Sequence, residues 1–295
     1  MVHLRADSDH RFADQLRFLA TFPAYTTQVV DGTVVLWYRG PTGVEHLRLA
    51  VDGAGVTVAG DAAVARHVFN AAAAPLPGAG ALPPEPAAHR LLYGRYGGIR
   101  PVLFPAAFEG IAWTILGQQV TVRLAVQLKA NLARAFGRLT GEGPVPLWAF
   151  PAAEDIADQS ADALRALQLS RQKAAALLEV ARAMACGKWD PQRLAGMDSE
   201  AAAADLQGFR GIGRWTAEYI LLRVIGHGDV FPAADAGLQR AWARRTGGTG
   251  RATDTDLRLA AQAWRGFRSE FAFYLWLDNH AERQGHTGAA RRGVL

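Results

Sequence analysis

Apolar residues change their spacing along this chain, and the change divides it. Between residues 24 and 60 they fall in short β-branched and aromatic runs, Val34-Val-Leu-Trp-Tyr, His46-Leu-Arg-Leu-Ala-Val and Gly55-Val-Thr-Val, separated by Asp31-Gly32, Gly40-Pro-Thr-Gly43 and Asp52-Gly53. Runs of that composition between turn formers predict an antiparallel meander. Helical composition returns over 61–70, and residues 71–86, dense in Ala, Pro and Gly, read as a loop or linker. Beyond it the period becomes 3.6. Phe108, Ile111, Ala112 and Ile115 stand at i, i+3, i+4 and i+7, and Ala174, Leu177, Leu178 and Ala181 repeat the spacing, so each stretch buries one helical face. Further helices are predicted over 121–136, 160–168, 199–207, 214–225, 234–245, 254–265 and 267–279, with Gly137, Gly187, Gly226 and Gly247-Gly248 as stops. The fold class is therefore α+β: a small N-terminal antiparallel-sheet domain over 1–90, an all-helical domain over 91–280, and a frayed tail over 281–295.

At 295 residues and 50% hydrophobic content, the chain has material for two cored domains. No run reaches the roughly 18 apolar residues of a membrane span, and the N-terminus lacks a signal-peptide core, so a cytoplasmic protein without a membrane partner is expected. Cys186 is the only cysteine. An internal disulfide and a four-thiolate cluster are thereby excluded, and Cys186 reads as a small helix-packing residue. The eight histidines are scattered without ligand spacing, so no side-chain metal site is expected. Net charge is +5, and residues 201–295 hold 13 Arg against 9 acids. That leans toward a polyanion, yet arginine is simply the preferred basic residue in a chain with lysine only at Lys129, Lys173 and Lys188, so charge leaves the question open.

The chemistry concentrates in two neighbouring segments. Leu-Gln-Gly-Phe-Arg-Gly-Ile-Gly-Arg-Trp-Thr-Ala-Glu-Tyr at 206–219 places Gly208, Gly211 and Gly213 between one helix end and the next helix start, a turn that bends tightly and leaves amides unpaired. Such amides suit a phosphate. Downstream, Phe-Pro-Ala-Ala-Asp-Ala-Gly-Leu-Gln at 231–239 puts Asp235 just inside a helix that Pro232 helps to open, where the dipole favours an ionised carboxylate. Taken singly, the hairpin is a change of direction and the Asp a cap. Together they suggest DNA held by the hairpin and attacked near Asp235, since no Ser/His, Cys/His or His-rich constellation competes. A single ionised carboxylate can stabilise positive charge that develops as a bond breaks.

With Ala-Phe-Glu-Gly-Ile-Ala-Trp-Thr-Ile-Leu-Gly-Gln-Gln-Val at 107–120 and Trp-Arg-Gly-Phe-Arg-Ser-Glu-Phe-Ala-Phe-Tyr-Leu-Trp at 264–276, these segments resemble the helix-hairpin-helix/Gly-Pro-Asp DNA glycosylases, above all the 3-methyladenine DNA glycosylase II type. The resemblance spans roughly 107–278 and is weak before Leu92. It implies a TATA-binding-protein-like N-terminal domain and DNA in a groove of the helical domain, with the helix-hairpin-helix at 199–225. It makes Asp235 the catalytic acid and Trp215, Tyr219 and Trp276 the base pocket. Gly208, Arg210, Gly211, Gly213, Arg214 and Thr216 fall at the DNA-backbone contact. The backbone carbonyls of Gln207, Phe209 and Ile212 fall where relatives hold a monovalent cation, Na or K. Gln118 and Gln119 fall at the corner that enters the minor groove, where the second side chain fills the gap left by a flipped nucleotide.

Trp215 occupies the position at which strand-cleaving relatives carry a Schiff-base lysine, so a water nucleophile and a monofunctional enzyme are implied. Without the resemblance, the aromatic residues would read as core and the glutamines as surface. An indole face gains roughly 0.5–2 kcal/mol from a desolvated cation, which would favour alkylated purines such as 3-methyladenine and 7-methylguanine. Three positions depart from the pattern: Arg210 replaces a proline, Gln119 an apolar wedge and Leu277 a second aromatic residue. The expectation is hydrolytic excision of alkylated bases from double-stranded DNA in base excision repair, by a nucleoid-associated monomer without an organic cofactor. The rivals are a non-catalytic helix-hairpin-helix protein that binds damaged DNA and a glycosylase for oxidised or deaminated bases.

Overall fold

In the computed structural model, Asp31 and Gly32 both adopt positive φ, +49° and +74°, and close a hairpin between β2 (Thr26–Val30) and β3 (Thr33–Gly40). Two positive-φ residues in succession match the right-handed twist of the strands they join. The meander continues into β4 (Gly43–Asp52) and β5 (Gly55–Ala59), and β5 pairs in turn with β1 (Val2–Arg5), giving an antiparallel sheet in the order β1-β5-β4-β3-β2. The register sets Val34 opposite Leu49 and Leu36 opposite Leu47, so one face is apolar. That face is covered by α1 (Phe12–Thr21), whose Phe12, Leu16 and Leu19 are buried. The structure describes all residues except 6–9, 54, 76, 77, 79, 81, 83–85, 141–144 and 293–295, and no side chains over 283–292.

The helical part begins with α2 (Ala62–Val68) and α3 (Ala88–Tyr96) and continues through α4 (Ala107–Gly117) and α5 (Val122–Phe136). A short ladder of β6 (Arg138–Leu139) and β7 (Trp148–Ala149) follows. It packs on the second face of β3, where Val35 and Trp37 are also buried. After α6 (Ala153–Ala157) and α7 (Ala161–Ala166) come α8 (Arg171–Ala185), α9 (Ser199–Gln207) and α10 (Arg214–Ile220). α10 runs on as a π-helical turn over Leu221–Ile225 and stops at Gly226. The chain ends with α11 (Ala236–Arg245), α12 (Asp254–Ala261) and α13 (Arg268–Arg292).

Sheet and helices share one hydrophobic core, from Leu4 to Leu275. Gly110 marks a close helix crossing: a Cβ there would lie 2.5 Å from Val224 Cγ2 and 2.9 Å from Phe104, so only glycine lets α4 approach the turn after α10. Buried Asp278 fastens α13 to its neighbours, accepting from Arg245 of α11 and, at 3.1 Å, from the Tyr96 hydroxyl of α3. Among the described residues, no helix is long and apolar enough to cross a membrane.

The structure departs from the predicted pattern at several places. β1, α1 and the β6–β7 ladder lie outside the predicted elements. The division at 90/91 falls inside α3. The loop expected over 71–86 lies partly outside the described residues. The backbone expected to fray from Ala281 continues as helix to Arg292, and residues 293–295 lie outside the described residues. Cys186 is also corrected: it is exposed at the C-cap of α8 rather than packed, because α8 turns its apolar face away at that point.

Glu270 of α13 is buried, and among the described residues its Oε2 lacks a hydrogen-bond partner. Burial pushes its carboxyl from the usual 4.5 up to about 7. A folded-state value above the unfolded one means stability fully present below about pH 4.5 and lost as pH rises through 7. Glu270→Gln should therefore stabilise the fold by about 2–3 kcal/mol at pH 8 and by little at pH 4.5, read from urea melts at the two pH values.

Candidate active site

The hairpin is built by local chemistry. α9 ends at Gln207, and Gly211 takes φ +80°, a left-handed conformation that a side chain would strain. Gly213 is then the N-cap of α10. Among the described residues, the amides of Gly211 and Gly213 donate no hydrogen bond, and the first amides of α10 point out of the helix start beside them. The carbonyls of Gln207 and Ile212 accept none either, while Phe209 accepts one from the Ile212 amide at 3.2 Å. These carbonyls therefore keep lone pairs for a further partner.

Asp235 is the N-cap of α11, one position before the helix and not inside it, and Pro232 lies in the preceding turn. Its Oδ1 accepts from the amides of Gly237 at 2.7 Å and Leu238 at 3.0 Å and from Trp276 Nε1 at 3.1 Å. Among the described residues, its Oδ2 accepts from Trp215 Nε1 alone, at 3.2 Å. All four contacts are N–H donors, the set an ionised carboxylate takes. Oδ2, with one donor, keeps accepting capacity for a further partner.

The aromatic side chains stand around that carboxylate. Tyr219 lies between the two indoles, with ring centroids 5.6 Å from Trp215 and 5.1 Å from Trp276. Its hydroxyl accepts from Trp113 Nε1 at 3.3 Å, and burial raises its pKa, so it stays a neutral phenol. Phe18 and Phe22, carried in by the N-terminal part, reach the same cleft. Its volume, about 2010 Å³, exceeds the roughly 300–1,000 Å³ of small-molecule pockets, so it is a groove with an aromatic recess.

Across the groove, the end of α4 is held by Lys173 of α8. Its Nζ donates to the carbonyls of Ile115, Leu116 and Gln118 at 2.8, 3.0 and 2.7 Å. Burial lowers its pKa to about 8. The Gln118 side-chain amide in turn donates to Gly211 O at 2.8 Å and Thr216 Oγ1 at 3.0 Å, tying this corner to the hairpin. Gln119 is exposed and takes φ +54°, a strained value for a residue with a Cβ, which turns the chain at the groove lip.

The structure thus brings Asp235, Trp215, Tyr219 and Trp276 together. Gln119, Gly208, Arg210, Gly211 and Gly213 line the groove beside them. Gln118 and Thr216 bond each other across the corner. Arg214 is clasped by Glu200 at 2.6 and 2.7 Å and by Glu218 at 2.7 Å, so carboxylates already hold its guanidinium. Sequence reasoning missed Lys173 and Arg223 as lining residues. Each carried a readable signal: Lys173 is a cation in a first helical turn, where the dipole opposes it, and Arg223 interrupts the apolar run 220–225. Among the described residues, no cluster of His, Cys, Asp or Glu could hold a metal ion.

Comparison with known proteins agrees with this geometry. Residues 112–267 match the family model described as "HhH-GPD superfamily base excision DNA repair protein". The chain is 30% identical over 182 residues to the DNA-3-methyladenine glycosylase of Bacillus subtilis, spanning 62% of this chain and 60% of that protein. It is 34% identical over 187 residues to DNA-3-methyladenine glycosylase 2 of Escherichia coli, spanning 62% and 63%. These alignments cover less than two thirds of either relative. The solved 3-methyladenine DNA-glycosylase from Archaeoglobus fulgidus superposes with a TM-score of 0.79 at 26% identity, over 95% of this chain and 98% of that one.

Removing the Lys173 ammonium should leave the carbonyls of Leu116 and Gln118 without a donor among the described residues, and that of Ile115 with only the Gln118 amide at 3.4 Å. Lys173→Met is expected to cost about 2–3 kcal/mol in urea unfolding at pH 7. A loss below about 0.5 kcal/mol would show that the corner holds itself.

Proposed function

The chain belongs to the HhH-GPD superfamily of base excision DNA repair proteins, and we propose that it hydrolyses the N-glycosidic bond of alkylated bases in double-stranded DNA, leaving an abasic site in an intact strand. The observation that carries this reading is Asp235, whose Oδ2 keeps accepting capacity beside a recess walled by Trp215, Tyr219 and Trp276. In the proposed reaction the unpaired amides of Gly211 and Gly213, at the positive end of α10, grip a backbone phosphate. Gln119 fills the space of the extruded nucleotide, and the aromatic residues stack on its base, worth about 1–3 kcal/mol. As the C1′–N bond lengthens, the sugar becomes positive, and Asp235 stabilises that charge and orients the attacking water. A monovalent cation on the carbonyls of Gln207, Phe209 and Ile212 would add positive charge at the phosphate site. The protein is proposed to work as a monomer.

Water is the proposed nucleophile because the position of the lyase amine carries Trp215, which donates its N–H to Asp235. Lys173 lines the groove, but its ammonium is spent on three carbonyls. Strand cleavage through a Schiff base therefore has no free amine among the groove-lining lysines.

Asp235→Asn is the test of the acid. Asparagine caps a helix about as well as aspartate, so the fold should hold, while base release from alkylated duplex falls at least about a thousandfold, some 4 kcal/mol of transition-state stabilisation. Release at near wild-type rate would refute the role of Asp235, and no release by the wild type would favour a binding protein. Borohydride should trap no covalent protein–DNA adduct during turnover, and abasic products should break only under alkali. A robust adduct lost in Lys173→Met would move the protein to the strand-cleaving class.

A further inference from the structure

Arg223 is a charge where the pattern of the chain calls for an apolar residue. It stands in the π-helical turn after α10, is 1% exposed, and lines the floor of the aromatic recess. Its Nε donates to Val102 O at 2.8 Å and its Nη2 to the Tyr25 hydroxyl at 2.6 Å. Among the described residues, no carboxylate lies within ion-pair distance, and Nη1 has no hydrogen-bond partner. Instead the guanidinium carbon lies 5.3–5.9 Å from the ring centroids of Phe18, Phe22, Phe104, Tyr219, Phe273 and Trp276. A fixed positive charge is thus solvated mainly by π-faces.

Two of those rings, Tyr219 and Trp276, are the walls on which the proposed function stacks a base, so this inference rests on that reading. Trp276 touches both charges of the recess: its ring lies 5.8 Å from the Arg223 carbon, and its Nε1 donates to Asp235 at 3.1 Å. We propose that Arg223 sets the base preference of the recess, lowering the advantage of cationic bases and assisting the departure of neutral ones.

Both effects have the same sign. In the bound state, the π-faces that would attract a cationic base already serve a cation, and like charges repel strongly where water is excluded. In the transition state, the C1′–N bond breaks with its electron pair going to the base. An N7-alkylated purine therefore leaves neutral, while a neutral base leaves with negative charge. It then takes up a proton, balancing the water that gives its hydroxyl to C1′ and releases a proton. A positive charge at the recess floor stabilises the developing anion, and Asp235 stabilises the sugar cation at the other end of Trp276. A cationic base gains nothing from the first of these.

The test uses the full-length protein under single-turnover conditions at pH 6, on duplexes carrying one 7-methylguanine (cationic) or one hypoxanthine (neutral). Arg223→Met should raise the ratio of 7-methylguanine to hypoxanthine release at least about tenfold, equivalent to about 1.4 kcal/mol, whereas Arg223→Lys should keep it within about threefold of wild type. The ratio is independent of the folded fraction, so general destabilisation does not move it. An unchanged ratio in Arg223→Met would overturn the proposal. A second arm needs no variant: quenching of wild-type tryptophan fluorescence by 7,9-dimethylguaninium and by neutral 9-methylguanine. Affinities within about threefold support the proposal, and a cation bound more than tenfold tighter overturns it. If the wild type releases neither base from DNA, the glycosylase reading fails, and the quenching arm still decides what the charge does.

Discussion

Three helices meet at one carboxylate. Asp235 starts α11 by accepting two of its first amides, and it draws in the indole N–H groups of Trp215 from α10 and Trp276 from α13. A group that caps one helix and anchors the side chains of two others cannot move without all three. Much of the geometry of the aromatic recess follows from this, because two of its walls, the indoles of Trp215 and Trp276, are positioned by the acid they surround. The capping role and the proposed chemical role are therefore one arrangement: saturating Oδ1 with three donors leaves Oδ2 oriented and under-coordinated. Orientation set in advance of substrate is the condition under which a single carboxylate can stabilise a developing cation strongly.

The opposite side of the groove uses the same economy of buried donors. Lys173 closes the carbonyl end of α4, and Gln118 joins that end to the hairpin, so the lip that carries Gln119 and the turn that carries Gly211 form one connected rim. A chain turn held in the left-handed region at a non-glycine residue persists only when its surroundings over-determine it, and here Lys173 and Gln118 do so. The rim and the recess are the parts a duplex and an extruded base would each require, and α10 carries part of both, Thr216 on the rim and Trp215 and Tyr219 on the recess.

Positive charge has also been sorted by the fold. Arg214, Arg245, Arg258 and Arg268 are each held by carboxylates, while Arg210 is exposed beside the hairpin and Arg223 is sealed among aromatic rings. The arginine count along the last third of the chain therefore overstates what is available to a polyanion. The unpaired amides of the hairpin carry more of the proposed phosphate affinity than an arginine count suggests.

Much of the architecture was legible because it is local. Positive φ at Asp31-Gly32 is a property of those two residues, and the 3.6 period of Phe108, Ile111, Ala112 and Ile115 is a property of one helix. The hairpin glycines and the acid behind Pro232 could be singled out for the same reason. Tertiary structure decided everything that depends on partners distant in sequence. Whether Gln118 faced a groove or a carbonyl, whether Arg214 was free or clasped, and that α1 would carry Phe18 and Phe22 into the cleft were settled by elements far along the chain. The 3.6 period names the buried face of a helix but not what covers it, so the charge of Arg223 could be seen in its apolar run while the six rings that hold it could not. A hydrogen bond or a ring contact is set by distance in space, and only packing fixes that distance.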